Sequence, residues 1–176
     1  MTTHRVRSGD GWVELPVAGL AGEGLVVPNV AGVVRRPDGA VLLQRRDKPG
    51  EDVRGRHELP AGKWRAGETA VQAVEREVFE ETGIRVVVEA AVADRVEAME
   101  GRPFETVTPI ATVIGVEGAY PALVLAFACS GDGEPRAQAG ETADPEWLAP
   151  EEIRRLLEAP ERFTGPAAAI LRAVLG

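Results

Sequence analysis

The chain has 176 residues, 44% of them hydrophobic and 27% charged, which is the composition of one globular domain with a buried core rather than of a disordered or fibrous chain. Its 20 basic and 28 acidic residues leave a net charge of −8, which argues against a nucleic-acid polymer as partner, because phosphate backbones are held by a basic surplus. A single cysteine, Cys129, excludes an internal disulfide framework and fits a reducing, cytoplasmic setting.

The first residues, Met1 to Glu14, are polar and lack the apolar core of a secretion signal. Residues 1–24 hold five glycines and read as a loosely ordered extension around a short piece at Trp12 to Leu15; residues 25–176 read as the folded domain. From Leu25 to Val34, and again from Ala40 to Arg45, apolar and β-branched residues dominate. The intervening Arg36-Pro37-Asp38-Gly39 is turn chemistry, so the pair predicts a β-hairpin. Residues 46–67 form a charged, turn-rich loop. The best helix signal follows at Ala70 to Thr82, with Thr69 and Gln72 placed for a capping box and Gly83 where a left-handed stop belongs. Arg85 to Val92 and Thr106 to Val116 read as strands, the second made irregular or an edge by Pro109. Ala122 to Cys129 reads as the most buried strand and is far too short to span a membrane. Gly131 to Pro145 reads as a 15-residue loop, a length usually associated with function or mobility. Helices open at Pro150 and at about Pro166, the latter running to Leu175. Strands interleaved with helices indicate an α/β domain with no repeats.

On the helix, Val71, Val74 and Val78 form an apolar stripe, while Glu77, Glu80 and Glu81 share an adjacent sector about 100° wide, with Ala70 and Ala73 in that sector one and two turns earlier. Three like charges at spacings of three and four oppose each other by a few tenths of a kcal/mol per pair. A divalent cation reverses the sign of that repulsion, and oxygen-only ligands select a hard ion, Mg²⁺, with Mn²⁺ as substitute. The plainer reading of the same residues is a solvated acidic face.

The surrounding residues decide between them. Gly62, five residues, Glu68, seven residues, then Arg76-Glu77-Val78-Phe79-Glu80-Glu81-Thr82-Gly83-Ile84 matches every specified position of the 23-residue box of the Nudix (MutT-like) hydrolases, and the chain resembles that family. Nine specified positions coincide by chance with odds of roughly one in ten million. Outside the box, Leu42-Leu43-Gln44-Arg45, Leu-Pro-Ala-Gly at 59–62 and Glu146-Trp147-Leu148 are also similar. The resemblance implies an α/β/α sandwich with a mixed β-sheet, and a Mg²⁺-dependent enzyme whose metal is held by Glu77, Glu80, Glu81 and the Gly62 carbonyl, with Glu68 and Arg76 as the supporting pair. It implies cleavage of a diphosphate linkage in a small nucleotide, an ADP-ribose or nucleotide-sugar type on the Glu58-to-Lys63 string, or a nucleoside triphosphate on Glu146-Trp147-Leu148. The proline that many ADP-ribose enzymes carry 15 or 16 residues after the box is replaced here by Met99 and Glu100.

On the substrate side, residues 45–65 hold seven basic residues against four acidic ones, a cradle for a diphosphate in an otherwise acidic protein. Arg45 and Arg56 are the phosphate candidates, with Lys63 beside them. Trp64, Phe104 and Tyr120 are candidates to stack on a base or sugar, whereas Trp147 reads as core and His57 as an ordinary loop histidine. Glu141, ahead of Glu134, is the candidate catalytic base. The competing readings are a non-catalytic nucleotide-sensing domain, which the intact box opposes, and isoprenoid-diphosphate isomerisation, which needs a reactive cysteine where Cys129 reads as buried. A homodimer is left open, and neither a membrane nor a nucleic-acid polymer is expected.

Overall fold

The computed structural model describes residues 3–8, 11–16, 27–89, 92–99, 102–115 and 122–176. Where the sequence reads one short piece within a loose extension, β1 (Thr3–Ser8) and β2 (Gly11–Pro16) pair as an antiparallel hairpin. The domain then begins with β3 (Val27–Arg35) and β4 (Val41–Arg46). Asp38 closes the turn between them by accepting the Ala40 N–H at 3.1 Å, as the Pro-Asp-Gly sequence predicts. β5 (His57–Glu58) and β6 (Ala61–Lys63) follow.

Helix α1 (Ala70–Thr82) has the capping box that Thr69 and Gln72 encode, and it stops at Gly83 with φ 70°. β7 (Val86–Val88) is shorter than the sequence suggests. The candidate strand over 106–116 is interrupted around Pro109. Its start belongs to β9 (Arg102–Val107), which pairs with β8 (Val92–Met99), and its end is β10 (Ala111–Ile114). A proline cannot donate to the ladder, so the chain changes sheets there. β11 (Ala122–Gly131) and β12 (Thr142–Leu148) extend into the stretch read as a long loop, leaving 132–141 outside strands. α2 (Pro150–Leu156) and α3 (Gly165–Leu175) complete the chain.

The main sheet runs β10-β11-β3-β4-β12, with β5 pairing to β4, β6 to β3 and β7 to β11. β11 is parallel to β3 and the other pairings are antiparallel. Strand alternation sorts side chains to two cores. Val30, Val34, Leu42, Phe127 and Cys129 pack under α1, whereas Ala31, Val33, Val41, Leu43 and Val124 pack under α2 and α3. The result is the expected α/β/α sandwich on a mixed sheet. Ala70 and Ala73, assigned from helical angle to the acidic sector, are instead fully buried with Val74 and Val78. The apolar stripe of α1 is therefore wider than its valines alone, because the helix lies close against β3: a Cβ on Gly32 would meet Val78 at 2.7 Å. Among the described residues no helix is long and apolar enough to cross a membrane.

Candidate active site

The alternation of β4 sets the first element of the site. Leu42 faces α1, so Gln44, two residues on, faces α1 as well, and it is fully buried. Opposite it stands Glu81 in the last turn of α1, 4% exposed. Gln44 Nε2 donates to Glu81 Oε2 at 2.6 Å and to Glu58 Oε1 at 3.4 Å. The Ala61 N–H donates to the same Glu81 Oε2 at 3.0 Å. Among the described residues Glu81 Oε1 accepts no hydrogen bond, so the protein's donors occupy one oxygen and leave the other. Thr142, from β12, donates its hydroxyl to the Glu81 carbonyl at 3.2 Å and ties down the end of the helix.

One turn earlier, Glu77 reaches Gly62 on β6. A Cβ on Gly62 would overlap the Glu77 carboxylate, so the carboxylate keeps this position only while residue 62 is glycine. Arg76 holds the remaining carboxylates. It donates to Glu77, to Glu80 at 3.2 Å, to both oxygens of Glu68 and to the Lys63 carbonyl at 3.1 Å. Glu80, more exposed than Glu77 and Glu81, also accepts from Arg65 at 3.3 Å.

Burial and like charge determine the electrostatics. Removal from water, followed by the neighbouring Glu58, pushes Glu81 up to about 8. Burial pushes Glu58 to about 7 against the opposing pull of Arg46, and burial raises Glu77 against Arg76. Glu68, hydrogen-bonded to Arg76, is instead held down at about 2. Buried carboxylates that resist ionisation in each other's company form a site to which a cation would bring charge balance.

The residues fit a hard divalent ion. The donors are all oxygens, Gly62 leaves room for the Glu77 carboxylate, and the buried Gln44 Oε1 has no hydrogen-bond partner among the described residues. Among the described residues no three His, Cys, Asp or Glu side chains already form a ready-made metal cluster. Glu77 and Glu80 are instead engaged by arginines.

The substrate candidates scatter. Arg45 falls on the face of β4 opposite Gln44, donates to the Gly55 carbonyl at 3.0 Å and lies 3.9 Å from Asp144. The structure thus separates it from the carboxylates; the arginine on their side is Arg46, 3.9 Å from Glu58 and paired with Glu51. The acids interspersed in the basic loop also engage Arg54, through Asp47. Arg56 has no carboxylate partner among the described residues. Lys63 lies on β6 beside Gly62. Trp64 donates its indole N–H to the Glu68 carbonyl at 3.0 Å and, with Phe104, lines a hollow of about 430 Å³.

Glu141 lies 3.3 Å from Lys48 and adds to the negative charge felt by Glu58, whereas Glu134 is exposed. Trp147 is only half buried and donates to the Gly133 carbonyl at 2.9 Å. His57, read as a loop residue, is buried against Phe163 and held neutral, at about 4. Cys129 is 1% exposed and its thiol is pushed up to about 12, the opposite of a reactive thiolate. Tyr120 lies outside the described residues. Sequence reading missed Gln44 and Glu58 as site residues. The available signal was a polar side chain in an inward-facing register of an apolar strand, with Glu58 directly across from it.

Comparison with known proteins bears on the family and the fold. A MutT-like protein of Streptomyces ambofaciens is 34% identical over 125 residues, which cover 71% of this chain and 65% of that protein. A Mycobacterium tuberculosis protein, named as a candidate 8-oxo-dGTP diphosphatase 2, is 48% identical over 67 residues, 38% of this chain and 45% of that one. The chain thus matches less than two thirds of the length of these relatives. The MutT NUDIX hydrolase structure from Burkholderia pseudomallei superposes with a TM-score of 0.62 at 21% identity, over 86% of this chain and 99% of that one. A C. elegans Ap4A hydrolase complex gives 0.57 at 18%, over 85% and 95%. At these identities the two structures speak for the fold alone. The NUDIX domain model matches residues 26–171, and the chain belongs to the NUDIX domain family.

Proposed function

We propose that this protein is a divalent-metal-dependent pyrophosphohydrolase that cleaves a diphosphate linkage in a small nucleotide. The observation that carries this reading is the meeting of Glu77 and Glu81 at the Ala61–Gly62 backbone, with both donors to Glu81 among the described residues on a single carboxylate oxygen. Glu77, Glu80, Glu81 and the Gly62 carbonyl would hold the ion, Mg²⁺ by the chemistry of the donors. When bound, the ion supplies neutralisation of phosphate oxygens and an acidified water.

The protein's own groups do the rest. Arg76 fixes the spacing of Glu77 and Glu80 and relinquishes part of its hold on them as phosphate and cation arrive. Lys63 and Arg56 are the cations at hand for phosphate oxygens, with Arg46 in the place first given to Arg45. Trp64 and Phe104 offer the hollow for a planar base. Glu141 is the candidate to take the proton of the attacking water, and to do so it must leave Lys48. Attack at phosphorus releases a nucleoside monophosphate and the remaining phosphorylated fragment.

The relatives' names, one an 8-oxo-dGTP diphosphatase and one an Ap4A hydrolase, set the first substrates to try. The test is a Mg²⁺-dependent turnover panel of ribo- and deoxynucleoside triphosphates, dinucleoside polyphosphates, ADP-ribose and nucleotide sugars, with products identified by mass. Monophosphate release from one class, lost on chelation, supports the reading. No product from any class by folded protein would favour the non-catalytic nucleotide-sensing domain.

A further inference from the structure

Glu81 occupies a position that its surroundings oppose. It sits in the last turn of α1, where the helix dipole disfavours an anion, and it is buried beside Glu58. Two donors hold it there, the Ala61 N–H and the Gln44 amide. The backbone donor belongs to a strand paired in the sheet and cannot be traded for another group. Gln44 is the variable part. Its amide nitrogen carries two hydrogens, one for Glu81 Oε2 and one for Glu58 Oε1. With both carboxylates ionised, as they are when they face a cation, turning the amide over would set its oxygen against two anions, so the donating orientation is the one that serves the metal-bound site.

We infer that Gln44 is a positioning residue for metal binding: a neutral clamp that aims the spare oxygen of Glu81 at the cation and keeps Glu58 apart from it. Neutrality is the point of the choice. A lysine or arginine here would also hold the carboxylates, but its charge would compete with the ion. An amide restrains Glu81 without lowering the negative potential of the site. β4 lies in the interior of the sheet, between β3 and β12, so the clamp is itself immobile. This inference rests on the metal-site reading above.

The test uses Gln44→Met, which keeps length and volume but donates nothing, and Gln44→Asn, which keeps the amide but is too short to span both carboxylates. Mn²⁺ alone is the probe, its binding to substrate-free protein measured from the electron paramagnetic resonance of the free ion, with circular dichroism to establish folding. Loss of an outer-shell partner costs metal affinity about 10- to 100-fold. The expected result is such a loss for Gln44→Met and a smaller one for Gln44→Asn, with kcat falling at saturating metal and the KM for substrate unchanged. A merely structural role would lower the melting temperature and leave the Mn²⁺ affinity of the folded protein alone. Wild-type Mn²⁺ affinity in whichever variant folds overturns the inference. If Glu81→Gln loses the ion while Gln44→Met keeps it, only the clamp fails. If wild-type protein does not bind Mn²⁺, the metal site fails and the clamp with it.

Discussion

Gly62 shows how a single missing methyl group can define a site. Its backbone is not in the left-handed region, so alanine is conformationally tolerated, but the added Cβ would occupy the volume of the Glu77 carboxylate. Gly62→Ala is therefore expected to leave the fold and melting temperature close to wild type while displacing Glu77. A misplacement of about 1 Å at such a group costs on the order of 100-fold in turnover, which steady-state kinetics will measure. Glu81→Gln keeps shape and removes charge, and it should abolish most turnover with the fold intact; near-wild-type activity would sink the ligand assignment. The glutamates of the box and Gly62 were legible in the sequence because their spacing is fixed along one helix and one turn. Gln44, Glu58 and the separation of Arg45 from Arg46 were not, because they depend on which face of β4 turns toward α1, and that is a property of the assembled sheet.

Helix α1 is encoded locally from end to end. Thr69 and Gln72 satisfy each other's backbone donors, and Gly83 closes the last turn. Thr69→Ala should cost about 1 kcal/mol, seen as a fall of roughly 2–4 °C in the melting temperature, with the Mn²⁺ affinity of the folded protein unchanged since the carboxylates lie at the other end. This local determination explains why the hairpin turn, α1 and the two C-terminal helices were legible in the sequence. The strands from 86 to 116 were less so: Pro109 announces a break but not that the chain leaves one sheet for another. Ala70 and Ala73 were misassigned for a related reason, since alanine carries no polarity to say whether its side of a helix faces water or core.

For the molecule as a whole, the buried carboxylates make stability depend on pH and metal. Glu58 and Glu81 rise on folding from the ordinary glutamate value of 4.5 to about 7 and about 8. Between pH 4.5 and these values the folded state binds more protons than the unfolded chain, so stability falls as pH rises through that window and levels off above it. Glu68, held down at about 2, acts in the opposite sense but only in more acidic solution. Metal-free protein should therefore melt lower at pH 8.5 than at pH 5.5, and Mg²⁺ should raise the melting point more at the higher pH; thermal melts with and without chelator check both. The parallel pairing of β11 with β3 has a kinetic corollary. It joins segments that α1 and most of the strands separate in sequence, and contacts over such distances form late. Gln44, Glu81 and Thr142 come from three well-separated stretches, so refolding should restore helical signal early and metal affinity only when the last strand has docked.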